Sequence, residues 1–381
     1  MNTDDTLEIF LVTAPGLETA LCTEATKKGF RAAETSVGGV TVTGGWPDVW
    51  RANLELRGAS KVLVRLGAFR ALHLAQLDKR ARKFPWDNVL RPDQPVRVEV
   101  TTKKSRIYHK KAAAERIERA IAEELGAEIS ADAAICIKVR ILDDMCTISV
   151  DTSGEALHKR GHKEAVNKAP MRENLAALLL QECGFTGSEP VVDPMCGSGT
   201  FPIEAAEISL GLQPGRSRTF AFEQFATFDV GAWQEMKKQG STPTLAFHFY
   251  GFDRDAGAVN MSLANAERAS VQEFTEFRTQ TISDLTAPNG EPGLVIVNPP
   301  YGVRISETKR LNPLYQSLGH VLKSGFGGWR VGLVTNSDKL AKATGLRFEQ
   351  NPTSFSHGGL RVKLFKAQVL PKPNMHQPIV T

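Results

Sequence analysis

The sequence predicts an α/β protein whose C-terminal part is a doubly wound parallel sheet, preceded by an α+β half. Three observations predict it. Beyond residue 174, short apolar strands alternate with helix-spaced segments, and repeated βα units build a parallel sheet. Two of those strands end in turns that carry chemistry. Asp193-Pro194-Met195-Cys196-Gly197-Ser198-Gly199-Thr200 follows Val191-Val192, and Asn298-Pro299-Pro300-Tyr301 follows Leu294–Val297. In open α/β sheets ligands bind outside the carboxyl ends of strands, where such turns lie. Finally, 381 residues exceed one domain of roughly 100–200, so the chain holds two or three.

The elements follow in order. Leu7–Val12 and Val40–Thr43 read as short strands around a helix near Leu17–Lys28, punctuated by Gly29 and Gly38-Gly39. Val96–Val100 alternates as a half-buried strand. Ala112–Leu125 places Ala113, Ile117, Ala120, Ile121 and Leu125 at helical spacing, and Gly126 is its expected cap. Ile135–Arg140 and Met145–Val150 are further strands. His158-Lys159-Arg160-Gly161-His162-Lys163 is a basic connector that reads equally as a guide for a polyanion and as a solvated linker. Leu175–Cys183 is a helix, and Val191–Asp193 a buried strand. Ile203–Ile208 is helical, with Pro202 tolerated in its first turn. Phe247–Asp253 is a strand ending in an acid, followed by a helix over Ala258–Ala269. Phe277–Ile282 leads to Asp284-Leu285, and Leu294–Val297 and Gly332–Thr335 complete the strands. About fifty-five residues separate the Gly-rich turn from Asp253, where a simple unit has about 20, so residues 211–245 are an insertion.

Composition sets the class. Hydrophobic residues are 41% and charged residues 23%, an ordinary globular balance. No apolar stretch approaches the ~20 residues of a membrane helix, so no membrane association is expected. The first residues lack a basic segment followed by an apolar one, so no signal peptide is expected. Cys22, Cys136, Cys146, Cys183 and Cys196 are too far apart for a zinc knuckle; free thiols, a cytoplasmic location and no bound metal are the expectation. The tail from Pro371 reads as disordered. The net charge of +5 is uneven: Arg57–Lys111 holds fifteen Lys/Arg against four Asp/Glu. Lys103, Lys104, Arg106, Lys110 and Lys111 surround Tyr108, and this mixture of cations and a ring suits a nucleic acid. A solvated basic face is the plainer reading.

The strand-end turns define a candidate site. Two prolines fix the backbone after Asn298 and remove donors. The Asn298 side-chain oxygen and the Pro299 carbonyl can then accept both hydrogens of one planar amino group, with Tyr301 stacked on its heterocycle. The same four residues also read as a Pro-rich turn. The upstream turn is not a phosphate cradle: Thr200-Phe201 replaces the Lys-Ser/Thr of a P-loop, and Pro202 replaces the third small residue of a dinucleotide fingerprint. Asp193 before Gly197-Ser198-Gly199 suits a ligand with a cationic end and no phosphate, such as S-adenosylmethionine. Asp253 suits ribose hydroxyls, or the N-cap of the next helix. Cys196 is expected to pack under the turn rather than act as a nucleophile.

These motifs resemble the first and fourth motifs of class I S-adenosylmethionine-dependent methyltransferases acting on amino groups. Asp151–Gly161, Ala169–Leu175 and His357-Gly358-Gly359-Leu360-Arg361 narrow the likeness to the THUMP-domain RNA guanine-N2 methyltransferases, of the large-subunit ribosomal RNA type. The resemblance runs from Pro15 to about Phe365. It implies a C-terminal doubly wound Rossmann-like methyltransferase sheet over 156–381, with N-terminal α+β ferredoxin-like (1–60) and THUMP (61–155) domains. It implies a cofactor site of Asp193, Cys196, Gly197, Ser198, Gly199, Thr200, Asp253, Arg254, Asp284, Leu285 and Asn298. Within it, Asp284 would read the adenine amino group, and Arg172-Glu173-Asn174 would lie over the cofactor. Asn298, Pro299, Pro300 and Tyr301 would be catalytic. Lys103, Lys104, Arg106, Tyr108, Lys110 and Lys111 would meet RNA, with 23S ribosomal RNA preferred. Transfer RNA, a DNA adenine-N6 substrate, and an RNA-binding module without activity are the alternatives.

Overall fold

The computed structural model describes residues 6–164, 171–238, 240, 243–301 and 305–367. Ala169, Pro170 and the tail from Pro371 lie outside the described residues. The N-terminal elements are β1 (Leu7–Val12), α1 (Glu18–Lys27), β2 (Arg31–Ser36), β3 (Gly39–Gly44), α2 (Trp46–Glu55), β4 (Lys61–Arg70), α3 (Leu74–Arg82), β5 (Val96–Lys103), α4 (Lys110–Leu125), β6 (Ile135–Leu142) and β7 (Met145–Asp151). Then come α5 (Glu173–Glu182), β8 (Val191–Asp193), α6 (Thr200–Ser209), α7 (Val230–Met236), β9 (Phe249–Asp253), α8 (Ala256–Arg268), β10 (Thr275–Thr279), β11 (Leu294–Val297), α9 (Ile305–Gly325), β12 (Arg330–Thr335), α10 (Asp338–Ala343), β13 (Thr353–His357) and β14 (Leu360–Ala367).

Two units divide the chain. The first is built on one sheet in the order β2-β3-β1-β4-β7-β6-β5. Strand β4 pairs with both β1 and β7, placing Val62 beside Leu11 and Val64 beside Val150. A single strand therefore joins what the sequence suggests are two N-terminal domains. Alternation explains it: Val62 and Val64 are fully buried, with half-exposed residues between them. Residues 214–238, within the insertion expected over 211–245, fold with this unit. The Gly215 amide bonds the Leu54 carbonyl (3.0 Å) and the Phe222 amide bonds Thr152 (3.0 Å). Phe222 stacks on Trp50 at 6.2 Å and meets Trp233 edge-on at 5.1 Å, which closes an aromatic core.

The second unit carries a sheet in the order β10-β9-β8-β11-β12-β14-β13. Strands β10, β9, β8, β11 and β12 are parallel; β14 runs antiparallel to β12 and forms a hairpin with β13. The antiparallel edge is absent from the repeating βα pattern and departs from a purely parallel expectation. Strand β11 is buried on both faces, and its Val295 and Val297 share a core with Leu318 and Leu322 of α9 and with Phe326 just after it. Successive strands leave β8 in opposite directions, to β9 and to β11, so its carboxyl end lies at a topological switch point. The third parallel strand stops at Thr279 rather than reaching Ile282. The Gln280 amide turns aside to the Asp253 carbonyl, and a short 3-10 turn over Ile282–Asp284 comes next.

Candidate functional site

Strand β8 delivers Asp193 to the switch point in a nearly dry setting, 2% exposed. The Met195 amide bonds its Oδ1 at 3.0 Å. Burial, assisted by the charge of Asp253, pushes its carboxyl up to about 8. The chain then turns through Gly197 (φ +56°) and Gly199 (φ +80°), left-handed positions that favour glycine. A Cβ on Gly197 would meet nothing within 4 Å, so this backbone presents an open face; on Gly199 it would crowd Ser262 at 3.0 Å.

The next strand and helix hold this turn in place. Asp253, ending β9, accepts from the Gly197 amide (3.0 Å) and the Asp255 amide (3.0 Å). Helix α8 is capped by Asp255, whose Oδ1 accepts from Gly257 (2.9 Å), so Asp253 is not the cap. From α8, Ser262 donates to the Gly197 carbonyl (2.9 Å) and Asn265 to the Ser198 carbonyl (3.1 Å). Cys196 is buried 3.8 Å from the Ser262 hydroxyl, and burial holds its thiol protonated, which suits packing and not nucleophilic attack.

Beneath the turn lies a charged cluster that the sequence misplaces. Arg160 is 1% exposed and lies 3.2 Å from Glu204 and 3.7 Å from Glu207, both buried on α6. The Lys163 ammonium donates to the Met171 carbonyl (2.7 Å) and the Thr200 hydroxyl (2.8 Å), with Glu173 at 3.3 Å. The basic connector is therefore neither a solvated linker nor a surface guide at these positions: its cations are sequestered by acids on α5 and α6.

At the end of β11, Tyr315 of α9 donates to the Pro300 carbonyl (3.2 Å) and fixes the Pro-Pro segment. The Asn298 Oδ1 is buried with no partner among the described residues. Tyr301 is partly buried against the α9 core, and burial raises its phenol above the usual range. A cleft of about 500 Å³ joins the two strand ends. Asp193, Cys196, Gly197, Ser198, Thr200, Asn298, Pro299, Pro300 and Tyr301 line it. Gly199 sits under the turn, and Asp253 reaches the cleft through its bond to Gly197. Arg254 and Asp284 are exposed and outside the cleft lining, and the Asp284 carboxylate accepts from Thr281 (2.7 Å). Leu285 packs in the core beside Val295. Six further residues line it: Met195 and Phe201 beside the Gly-rich turn, and Met171, His357, Gly358 and Leu360, which fall in segments that carry the family likeness. Residue chemistry alone gives His357 and Leu360 no role, because they flank the turn of an antiparallel edge hairpin and not the end of a parallel strand.

In the N-terminal unit, Lys103, Lys104, Arg106, Tyr108, His109, Lys110 and Lys111 are all exposed between β5 and α4. Tyr108 is 69% exposed, with its ring 4.2 Å from that of His109. Elsewhere the basic excess is spent locally: Arg82 pairs with Asp78, Glu123 and Glu124, and Arg97 and Lys138 share Glu99. Among the described residues Lys103, Lys104, Lys110 and Lys111 form no ion pair, and Arg106 lies 3.8 Å from Asp144. No described helix is long and apolar enough to cross a membrane.

Three family models match successive stretches of the chain. Residues 160–363 match the family model described as "RMKL-like, methyltransferase domain". Residues 8–63 match the RlmL ferredoxin-like domain and residues 73–151 the THUMP domain. A curated relative from Synechocystis, "Putative RNA methyltransferase slr0064", is 30% identical over 371 residues, covering 94% of this chain and 96% of its own. A solved structure from Listeria monocytogenes, described as a "predicted N6-adenine-specific DNA methylase", is 27% identical with a TM-score of 0.86, covering 97% of both chains. "SMU.472, a putative methyltransferase complexed with SAH" is 25% identical with a TM-score of 0.85, covering 97% of this chain and 99% of its own.

Proposed function

This chain belongs to the RMKL-like methyltransferase family, and from that premise we propose that it methylates the exocyclic N2 of a guanosine in large-subunit (23S) ribosomal RNA. It is an RNA methyltransferase that takes its methyl group from S-adenosylmethionine. One observation carries the choice of an exocyclic amine. Among the described residues, the buried Asn298 Oδ1 has no partner and the adjacent Pro299 carbonyl accepts no hydrogen bond. Two such acceptors can hold both hydrogens of one planar amino group. The exposed cations around Tyr108, on a THUMP domain, support RNA as the bearer of that amine. Guanine and the ribosomal source rest on the likeness of the ordered motifs.

The residues fit the cofactor. Asp253 at the turn would repel a phosphate, and the open face of Gly197 admits close approach. When bound, S-adenosylmethionine supplies an electrophilic methyl group on a sulfonium sulfur. Asp193 would face its cationic end. Asp253 spends one lone pair on each backbone amide and keeps others for ribose hydroxyls. We assign Asp284 and Leu285 to the adenine side, and Arg254 beside the ribose, on the family likeness. Extruding the target base costs a few kcal/mol if it is paired. Stacking on Tyr301 offsets this by about 1–3 kcal/mol. Asn298 and Pro299 orient the amine, and orientation supplies much of the barrier reduction. No strong base is needed, because an aryl amine that gains a methyl group becomes acidic enough to lose a proton to water. Free thiols and the RNA substrate fit a cytoplasmic enzyme.

The test offers the purified protein radiolabelled S-adenosylmethionine with unmodified 23S RNA, transfer RNA and DNA in parallel, and identifies the labelled nucleoside. N2-methylguanosine in 23S RNA is expected. The same nucleoside from transfer RNA overturns the substrate, and N6-methyladenosine overturns the base. Asn298→Ala should lower turnover by at least about 100-fold with cofactor affinity nearly intact; equal loss of both would assign Asn298 to the cofactor or the fold.

A further inference from the structure

Of the residues lining the cleft, two carry a buried side-chain polar atom with no hydrogen-bond partner among the described residues: Asn298 at Oδ1 and His357 at Nδ1. Buried polar atoms are nearly always paired, so each orphan calls for a partner that arrives from outside. The Asn298 oxygen has one in the target amine. His357 does not yet have one.

Topology says which side of the site His357 serves. Strand β14 runs antiparallel to β12 with Lys363 beside Thr335, so the β13–β14 turn lies at the carboxyl end of the parallel strands. In the order β9-β8-β11-β12-β14-β13, Asp253 and Asp193 stand on one side of β11 and His357 on the other. Asn298 at the end of β11 separates the cofactor acids from the imidazole. The hairpin does not need this side chain to turn. Gly358 (φ +57°) and Gly359 (φ +79°) form a two-residue loop with both φ positive, which sets the turn by itself.

We propose that His357 is the specificity-determining residue of the substrate side: its Nδ1 accepts the N1–H of the guanine whose N2 amine Asn298 holds. This rests on the guanosine-N2 activity proposed for the same cleft. On the guanine edge, N1–H and the N2 amine are adjacent donors, and three acceptors, on Asn298, Pro299 and His357, match their three hydrogens. Adenine presents a bare N1 at that place, which pairs with no acceptor; the imidazole proton sits on Nε2 and leaves Nδ1 as the acceptor. The assignment needs a neutral imidazole. Burial and the facing charge of Arg172 hold His357 below its ordinary value, so near pH 7 one nitrogen is free to accept.

The experiment uses the full-length protein and the RNA that the wild-type enzyme labels. A wild type that makes no N2-methylguanosine overturns the guanosine-N2 activity itself, and the His357 assignment falls with it, whatever the variants do. With that product in hand, His357→Leu should lower kcat/KM for RNA by about 10–100-fold while the KM for S-adenosylmethionine stays within about 2-fold. His357→Asn, which can keep an acceptor near the same place, should recover most of the loss. Wild-type kcat/KM in His357→Leu overturns the proposal. So does a parallel loss of cofactor binding, or an Asn variant no better than Leu; each would make His357 structural.

Discussion

Asp193 shows how far one residue's chemistry follows from its surroundings. Its carboxyl is pushed up to about 8 in the native protein against 3.8 for an unhindered aspartate. Between those values the unfolded chain has released a proton that the native one keeps. The stability from this group is therefore full below pH 3.8 and is lost as pH rises through about 8. A sulfonium beside the carboxylate favours the charged form and reverses the shift. Cofactor binding at pH 7 should then release close to one proton from the wild type and fewer from Asp193→Asn. Calorimetry in buffers of different ionisation heat reads this directly; identical heats in all buffers would remove Asp193 from the cationic end. Asp193, Gly197, Asn298 and Tyr301 are legible as site residues because chain order alone places them at strand ends. Tyr315 is not, and His357 is visible only within the family likeness, because what they touch is decided by helix and hairpin packing across long sequence separations.

At the scale of elements, α6 is the least legible from its sequence and the most constrained in place. Glu204 and Glu207 read as ordinary helix acids, yet both are buried against Arg160. An ion pair taken out of water is tolerated only while both signs remain. Arg160→Met takes the guanidinium away from two buried carboxylates and should cost about 3–5 kcal/mol, measured as a fall in the urea midpoint at unchanged slope. Arg160→Met with Glu204→Gln and Glu207→Gln should recover part of that; no recovery would mean Arg160 acts through packing of its stem. The same blindness to partners explains β2, whose residues are mostly exposed and show no alternation, and the antiparallel β13–β14 edge. Buried parallel strands such as β11 announce themselves as apolar runs; edge strands do not.

For the whole molecule, charge is more local than its total suggests. A net +5 and a basic stretch over Arg57–Lys111 are visible in the sequence, but pairing is not. Arg82, Arg91 and Arg97 are held by neighbouring acids, while Lys103, Lys104, Lys110 and Lys111 form no ion pair among the described residues. Replacing those four lysines by alanine should weaken RNA binding and lower the slope of log affinity against log salt by up to about 3–4, at roughly 0.7–0.9 per phosphate contact. Cofactor affinity should not move. An unchanged slope would show that RNA is gripped elsewhere. The change from an α+β half to a parallel sheet is legible because composition and periodicity change along the chain, whereas the destination of residues 214–238 is not, since aromatic residues say that a core exists but not which one.

That destination bears on synthesis. A ribosome finishes β7 at Asp151, yet the aromatic core of the same unit waits for Phe222 and Trp233, about 80 residues later. At about 5–20 residues per second, the finished β7 waits roughly 4–14 s for Phe222, the stacking partner of Trp50, and β8 of the second sheet is synthesised in that interval. The insertion is thus a delay written into the order of the chain: it withholds completion of the THUMP-bearing half until synthesis of the methyltransferase half is under way.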